Sequence, residues 1–317
     1  MTKEISIGYS KAWLARARAK FMIYGSSVEQ YARVWDYAKA IIKYNRGSGC
    51  CVVVDGIKQP EPPLFMRLYV CLAPLKNGFL KGGSDPKAEK RFCVRHIWTN
   101  FKLQFSGATF KELFWNAARA TIMFDFEVSM ESCKFLSKDA YEYLANIPKQ
   151  YWSRHAFSPN CKSNMLPLNN VYETFNAIIK DARDKPILTQ MEWMRRYMMK
   201  RNSKKWEAVL KMEGKLMPYV TKVFEGLEKA ARYCIVQVSR GELYEVELNA
   251  DQVLVDLEQR TCRCYHWQLT GIPCVHAYAC MLDKRVDPED YVDFAYSRDT
   301  YMLAYEDAIE LMPSPKH

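Results

Sequence analysis

Between Thr261 and Cys280 the chain reads TCRCYHWQLTGIPCVHAYAC, with four cysteines and two histidines in twenty residues. No other stretch of the 317 residues restricts folding so tightly. Soft donors at this density hold a metal, pair as disulfides, run redox chemistry or fill a core. A disulfide framework is disfavoured. There are eleven cysteines, an odd number, and the N-terminal MTKEISIGYSKAWLARARAK has neither the apolar run nor the small-residue cleavage pattern of a secretory signal. Reduced thiols and an intracellular setting are the expectation. No run approaches ~18 uninterrupted apolar residues, so no membrane span is expected.

Within the stretch, Cys262 and Cys264 form C-x-C, and Cys274 and His276 form C-x-H nine residues later. A tetrahedral zinc site needs four N or S ligands on two short, rigid pieces of backbone, and these pairs supply them if the chain between doubles back. Gly271 and Pro273 stand where such a return would turn. Three thiolates and an imidazole complete the shell and leave no position for water, so the zinc is expected to be structural rather than a Lewis acid. His266, between Tyr265 and Trp267, reads as loop or packing. Cys280 lies one helical turn beyond His276 and could displace a ligand, but reads better as a small buried hydrophobe. The competing reading of all four residues is a set of reduced core cysteines without metal.

The rest of the chain sorts into helices first and strands later. KAWLARARAKFM is a helix stopped by Gly25, and Ser26 with Glu29 is a capping-box start for a second, whose stripe is Tyr31, Val34, Trp35, Ala38, Ile41 and Ile42. Cys51-Val-Val-Val opens a strand, and the apolar run LFMRLYVCL follows three prolines. KNGFLKGGSDPKAEK, 76–90, has three glycines and one proline and reads as a linker or deletion scar. Beyond it the stripes are Phe110, Leu113, Phe114, Ala117, Phe124, Val128 and Phe135, then Val171, Phe175, Ile178, Ile179 and Ala182, then Ile187, Met191, Met194 and Met198. Strands are expected at Tyr233–Val238, Leu243–Leu248 and Gln252–Leu257, and a helix from Cys274. The expected organisation is an N-terminal helical region with a short strand (1–75), the linker (76–90), a helical region (91–232), the metal module (233–285) and a helical tail (286–317). The fold class is α+β, mostly helical with a small ββ(β)α zinc module.

The stretch from the strands through C-x-C and GIPC-x-H to the short helix resembles the SWIM-type zinc finger. WQLTGIPCVHA, 267–277, is similar to the form found in plant Mutator-like transposases. Further matches run upstream in order: YGSSVEQY from Tyr24, NRGSG from Asn45, RFCVRHIWTNF from Arg91, AARAT from Ala117, WSR from Trp152, NNVYETFN from Asn169 and DARDKPILT from Asp181. The resemblance implies a DDE enzyme core of RNase-H type, in which three carboxylates hold two divalent ions. It makes Glu173 the third carboxylate and Cys93 and His96 the family's C-x-x-H signature. By helical geometry Glu173 lies opposite the stripe of Val171, Phe175, Ile178 and Ala182, where a solvated carboxylate would also sit. The strands that would carry the two aspartates have no counterpart, because GFLKGG and CVRH are almost adjacent, and Asp85 is too near Cys93 to replace either. Glu173 is then vestigial.

From this the chain is expected to be a non-catalytic, Mutator-transposase-derived nuclear protein holding structural zinc through Cys262, Cys264, Cys274 and His276. A DNA or protein partner is expected, with no membrane and no small-molecule substrate. Its 46 Lys and Arg exceed its 36 Asp and Glu, for a net charge of +10, which suits a polyanionic partner without requiring one. Arg195, Arg196, Lys200, Arg201, Lys204 and Lys205 cluster on one helix, as a phosphate-contacting or an ordinary solvated face would. The alternative is an active DDE-type transposase or nuclease cutting DNA with a divalent metal. It requires two further acids from unexpected positions. Cysteine-protease chemistry by Cys93 and His96 is poorer, since such pairs usually meet across a fold rather than along the chain.

Overall fold

The computed structural model describes residues 8–56, 63–82, 89–159, 162 and 170–313. In the first part of the chain the elements are α1 (Tyr9–Tyr24), α2 (Ser27–Ala32), α3 (Val34–Tyr44), β1 (Gly49–Asp55), β2 (Leu64–Cys71) and α4 (Ala73–Lys81). The middle holds α5 (Val94–Phe101), α6 (Ala108–Arg119), α7 (Met123–Leu136), α8 (Lys138–Ala145), α9 (Asn170–Ile178), α10 (Lys180–Arg183), α11 (Ile187–Leu210) and α12 (Pro218–Ala231). Strands β3 (Ile235–Arg240), β4 (Leu243–Leu248), β5 (Asp251–Asp256) and β6 (Thr261–Cys262) follow, then α13 (His266–Thr270), α14 (Val275–Lys284) and α15 (Arg298–Tyr305). The fold is α+β as expected.

These elements form two compact units. The first combines Met1–Gly78, Phe175–Leu210 and Ala304–His317; the second combines Phe79–Thr174 and Lys211–Leu303. In the first unit β1 and β2 pair antiparallel from Gly49↔Cys71 to Asp55↔Leu64, with a bulge at Val53/Val54. Its core joins Ile41, Leu72, Met191 and Ile309, residues from three separate parts of the chain. The expected capping box is present, with the Ser26 hydroxyl accepting from the Val28 amide at 3.2 Å and Glu29 accepting from the Ser26 amide. Of the expected stripe, Val34, Ala38 and Ile41 are buried, whereas Tyr31, Trp35 and Ile42 are exposed. The helix breaks at Arg33, so residues 31 and 34 do not share one continuous face.

Two expectations change here. Residues 76–81, read as part of a linker, belong to α4. Pro74 suits the first turn of a helix, where no amide is needed. The Ser48 hydroxyl accepts from the Ala73 amide at 2.8 Å and so satisfies a free donor of that turn. Gly78 is buried where the helix meets the Ala304 carbonyl so closely that a Cβ would not fit. The glycine that reads as a breaker is therefore a packing contact. Asp85 and the remainder of the scar, 83–88, lie outside the described residues. The second change concerns Arg195, which is buried rather than part of a solvated basic face. Its guanidinium forks onto Glu192, Nη2 to Oε1 at 2.7 Å and Nε to Oε2 at 2.9 Å.

The second unit contains an aromatic helical core and the zinc module. In the core, Trp152 is fully buried and stacks on Phe114 at 5.6 Å, surrounded by Val94, Phe101, Ala117, Met130 and Leu144. Phe124, Val128 and Phe135, expected to continue the apolar stripe, are exposed; α7 instead buries Ser129, Met130 and Cys133. In the module, β3-β4-β5-β6 form an antiparallel sheet. Tyr244, Val246 and Val255 point from one face of that sheet onto Ala277, Cys280 and Met281 of α14, while Leu243 and Leu254 on the other face are exposed.

Candidate metal centre

The four donors come from two rigid pieces of backbone. Cys262 is held in β6, with Val255 opposite it on β5. Past Cys264 the chain turns sharply. Tyr265 has a left-handed backbone (φ 62°) and its amide returns to the Cys262 carbonyl at 2.9 Å. The His266 backbone amide helps to lower the Cys264 thiol below its ordinary value. This tight knuckle points both sulfurs inward.

Helix α13 then reverses the chain. It ends at Gly271 (φ 75°), whose amide returns to the Trp267 carbonyl at 2.7 Å. A Cβ at Gly271 would lie 2.6 Å from the Asp293 Cβ, so both the turn and its close packing require glycine. The buried Thr270 hydroxyl accepts from the Ile272 amide at 3.1 Å. The Tyr296 hydroxyl donates to the Thr270 carbonyl at 2.8 Å, and the Asp293 amide to the Gly271 carbonyl at 2.7 Å. Pinned there, the chain delivers Cys274 as the N-cap of α14 and His276 to its first turn. The Cys274 sulfur accepts from the Ala277 amide at 3.5 Å, and a helix N-terminus favours a thiolate.

Cys262, Cys264, Cys274 and His276 thus converge, all four ligand atoms lying within 4.8 Å of one another. The His276 Nδ1 lies 3.7 Å from the Cys262 sulfur and 3.9 Å from the Cys274 sulfur. A zinc tetrahedron with ordinary Zn–S and Zn–N bonds has S···N edges of about 3.6 Å. The donor set therefore fits zinc in both chemistry and spacing, and Nδ1 is the ring nitrogen placed to bind. His266 and Cys280 are outside the quartet. His266 contributes its backbone amide, and burial followed by the Arg154 charge keeps its imidazole below the usual range. Cys280 packs in the core, where burial pushes its thiol up to about 12.

The protonation pattern shows what the ion does. Hydrogen bonds from Cys262 and Cys274 hold the Cys264 thiol far below its ordinary value. Its own hydrogen bond to Cys264 pushes Cys262 up to about 12, and hydrogen bonds to Cys262 and Cys264 also raise Cys274. Each raised thiol thus disfavours a further negative charge in the cluster. A divalent ion allows all three sulfurs to be thiolates, so its binding and the folding of the module are one equilibrium.

Gln268 is a functional residue that its position in the sequence does not reveal. Its side-chain oxygen accepts from the Cys262 amide at 3.2 Å and its nitrogen donates to the Cys262 carbonyl at 2.9 Å. This two-point clamp orients the knuckle, as the hydrogen-bond partners of metal ligands generally do. A polar side chain inside the apolar WQLTGIP run was the available signal.

Residues 244–284 match the SWIM zinc finger family model, which contains every element just described from β4 to α14. No curated protein and no solved structure is found to match the chain. The C-terminal module is therefore a SWIM zinc finger with the complete ligand set in place. None of the ten described cysteines, which exclude Cys161, is in a disulfide.

The other candidates lie elsewhere. Cys93 caps α5 and His96 lies in its first turn, beside a cleft that also includes Asn100 and Tyr143. Glu173 belongs to α9, with its side chain outside the described residues. No helix among the described residues is long and apolar enough to cross a membrane.

Proposed function

We propose that the chain is a non-catalytic protein derived from a Mutator-like transposase, and that its zinc is structural and stabilises a surface for DNA or a protein partner in the nucleus. The observation carrying this reading is the quartet itself. Three thiolates and an imidazole complete a tetrahedron and leave no position for a reacting water. Two further observations support the ancestry. Segments that carry the resemblance meet in one core: the Ser153 hydroxyl donates to the Ala117 carbonyl at 2.7 Å, and Trp152 packs with Val94, Ile97 and Phe101. The exposed apolar side of α7, at Phe124, Val128 and Phe135, is what a helix shows after losing the sheet it once covered.

For a polyanionic partner the support is charge. With Arg195 buried against Glu192, the basic side chains free to face solvent on α11 reduce to Lys200, Arg201 and Lys204, while Arg196 pairs with Glu192 at 2.6 Å. Duplex DNA titrated at rising salt tests this, because each phosphate contact adds to the slope of affinity against salt. A flat response, or no binding, moves the partner to the protein class. Incubation of supercoiled DNA with magnesium or manganese tests the non-catalytic part; nicking lost in Glu173→Gln would establish the enzyme reading instead.

A further inference from the structure

Residues 306–312 form no helix or strand, yet the first unit holds them by their main chain. The Asn202 side-chain nitrogen donates to the Asp307 carbonyl at 2.9 Å. Asn45 Oδ1 accepts from the Glu310 amide at 2.9 Å, and Arg195 Nη1 donates to the Glu310 carbonyl at 3.0 Å. The three side chains are only 2%, 5% and 5% exposed for Asn45, Arg195 and Asn202. Arg195 is preset for this contact: Glu192 occupies its other two nitrogens, and the Tyr37 hydroxyl donates to Glu192 at 2.8 Å. The one tail side chain that is buried is Ile309, which enters the core of Ile41, Leu72 and Met191. Just upstream, Gly78 admits the Ala304 carbonyl where a side chain would block it.

Buried amide and guanidinium groups are costly when unsatisfied, so this face needs an extended peptide against it. Three of the contacts read groups that every residue carries; beside them Ile309 fills an apolar socket with Met312 packed against the same core, and the Asn77 side-chain nitrogen donates to the Asp307 carboxylate at 2.9 Å. That is the recognition pattern of a peptide groove rather than of a framework element. We propose that this face of the first unit is a peptide-binding groove, with residues 306–312 of the same chain as its ligand, a detachable strap that holds three distant parts of the chain together. Its specificity lies chiefly in the buried aliphatic residue at position 309, supported by Met312 and the Asp307 carboxylate, and in cis the groove is kept filled by the high effective concentration of a tethered ligand.

The test uses full-length protein and a labelled peptide of residues 304–313, AYEDAIELMP. Ile309→Asp in the chain should displace its own strap and leave a groove that binds the added peptide, whereas the wild-type chain should bind at least ten-fold less. A peptide carrying Ile309→Asp should bind neither. A folded Ile309→Asp chain that ignores the peptide, or a wild-type chain that binds it equally well, would overturn the proposal. If Ile309→Asp does not fold, amide hydrogen exchange on the wild type decides. The Glu310 amide should be slowed at least ten-fold relative to an unstructured peptide and should lose that protection in Asn45→Ala, while the 94–152 core remains unchanged. Unprotected exchange at Glu310 in the wild type overturns it.

Discussion

Two residues outside the ligand quartet control the zinc site. Gln268 holds the Cys262 amide and carbonyl; without it the amide loses this acceptor inside a tight turn and the carbonyl keeps only the Tyr265 amide. Gln268→Ala should lower zinc affinity about ten-fold or more, read by competition with a chromophoric chelator, while the stoichiometry stays at one per chain. Gly271→Ala should be worse for folding. It places a Cβ against Asp293 at a left-handed position, and a loss of more than ~1 kcal/mol is expected in urea unfolding. The quartet was legible because ligand chemistry is local and its spacing is written along the chain. The clamp was not, since an isolated glutamine looks the same whether it faces solvent or another strand.

Among the elements, α7 shows how periodicity can mislead. Its apolar residues fall on more than one side, and the pattern alone picks Phe124, Val128 and Phe135, the last of which is 92% exposed. The packed side is Met130 and Cys133 against the Trp152 core. Phe135→Glu should therefore leave stability within about 0.5 kcal/mol and raise solubility, whereas Met130→Ala should cost about 2–4 kcal/mol in the same urea titration. The reverse ranking would place the core on the other side of the helix. Helix α4 carries the complementary lesson. A glycine-rich run predicts a linker from backbone entropy, but one glycine there allows a close approach to the Ala304 carbonyl. What packs around a glycine is not encoded next to it.

At the scale of the molecule, the two units should respond to different agents. A strong zinc chelator should unfold β3–β6 and α14, because three thiolates left without a cation cannot all stay charged in the buried cluster. Acid should act on the first unit through Glu192. Burial raises its carboxyl, but hydrogen bonds from Arg195, Arg196 and Tyr37 outweigh that and hold it at about 2, below its ordinary 4.5. Its contribution is therefore complete above pH 4.5 and lost as pH falls toward 2, and Glu192→Gln should flatten that part of the stability profile. A pH dependence unchanged by the substitution would mean that the buried fork does not stabilise the fold. By itself the sequence determined the zinc ligands, the α+β class, the capping box and the three strands leading to the knuckle, because each is set by residues within a turn or two of one another. Only the tertiary structure decided that Arg195 is an internal clamp, that Gly78 is a contact and that the tail closes a core built from residues 41, 72 and 191. Those outcomes depend on which surfaces meet across more than a hundred residues, and burial changes the role of a charge, a glycine or an isoleucine without changing its neighbours along the chain.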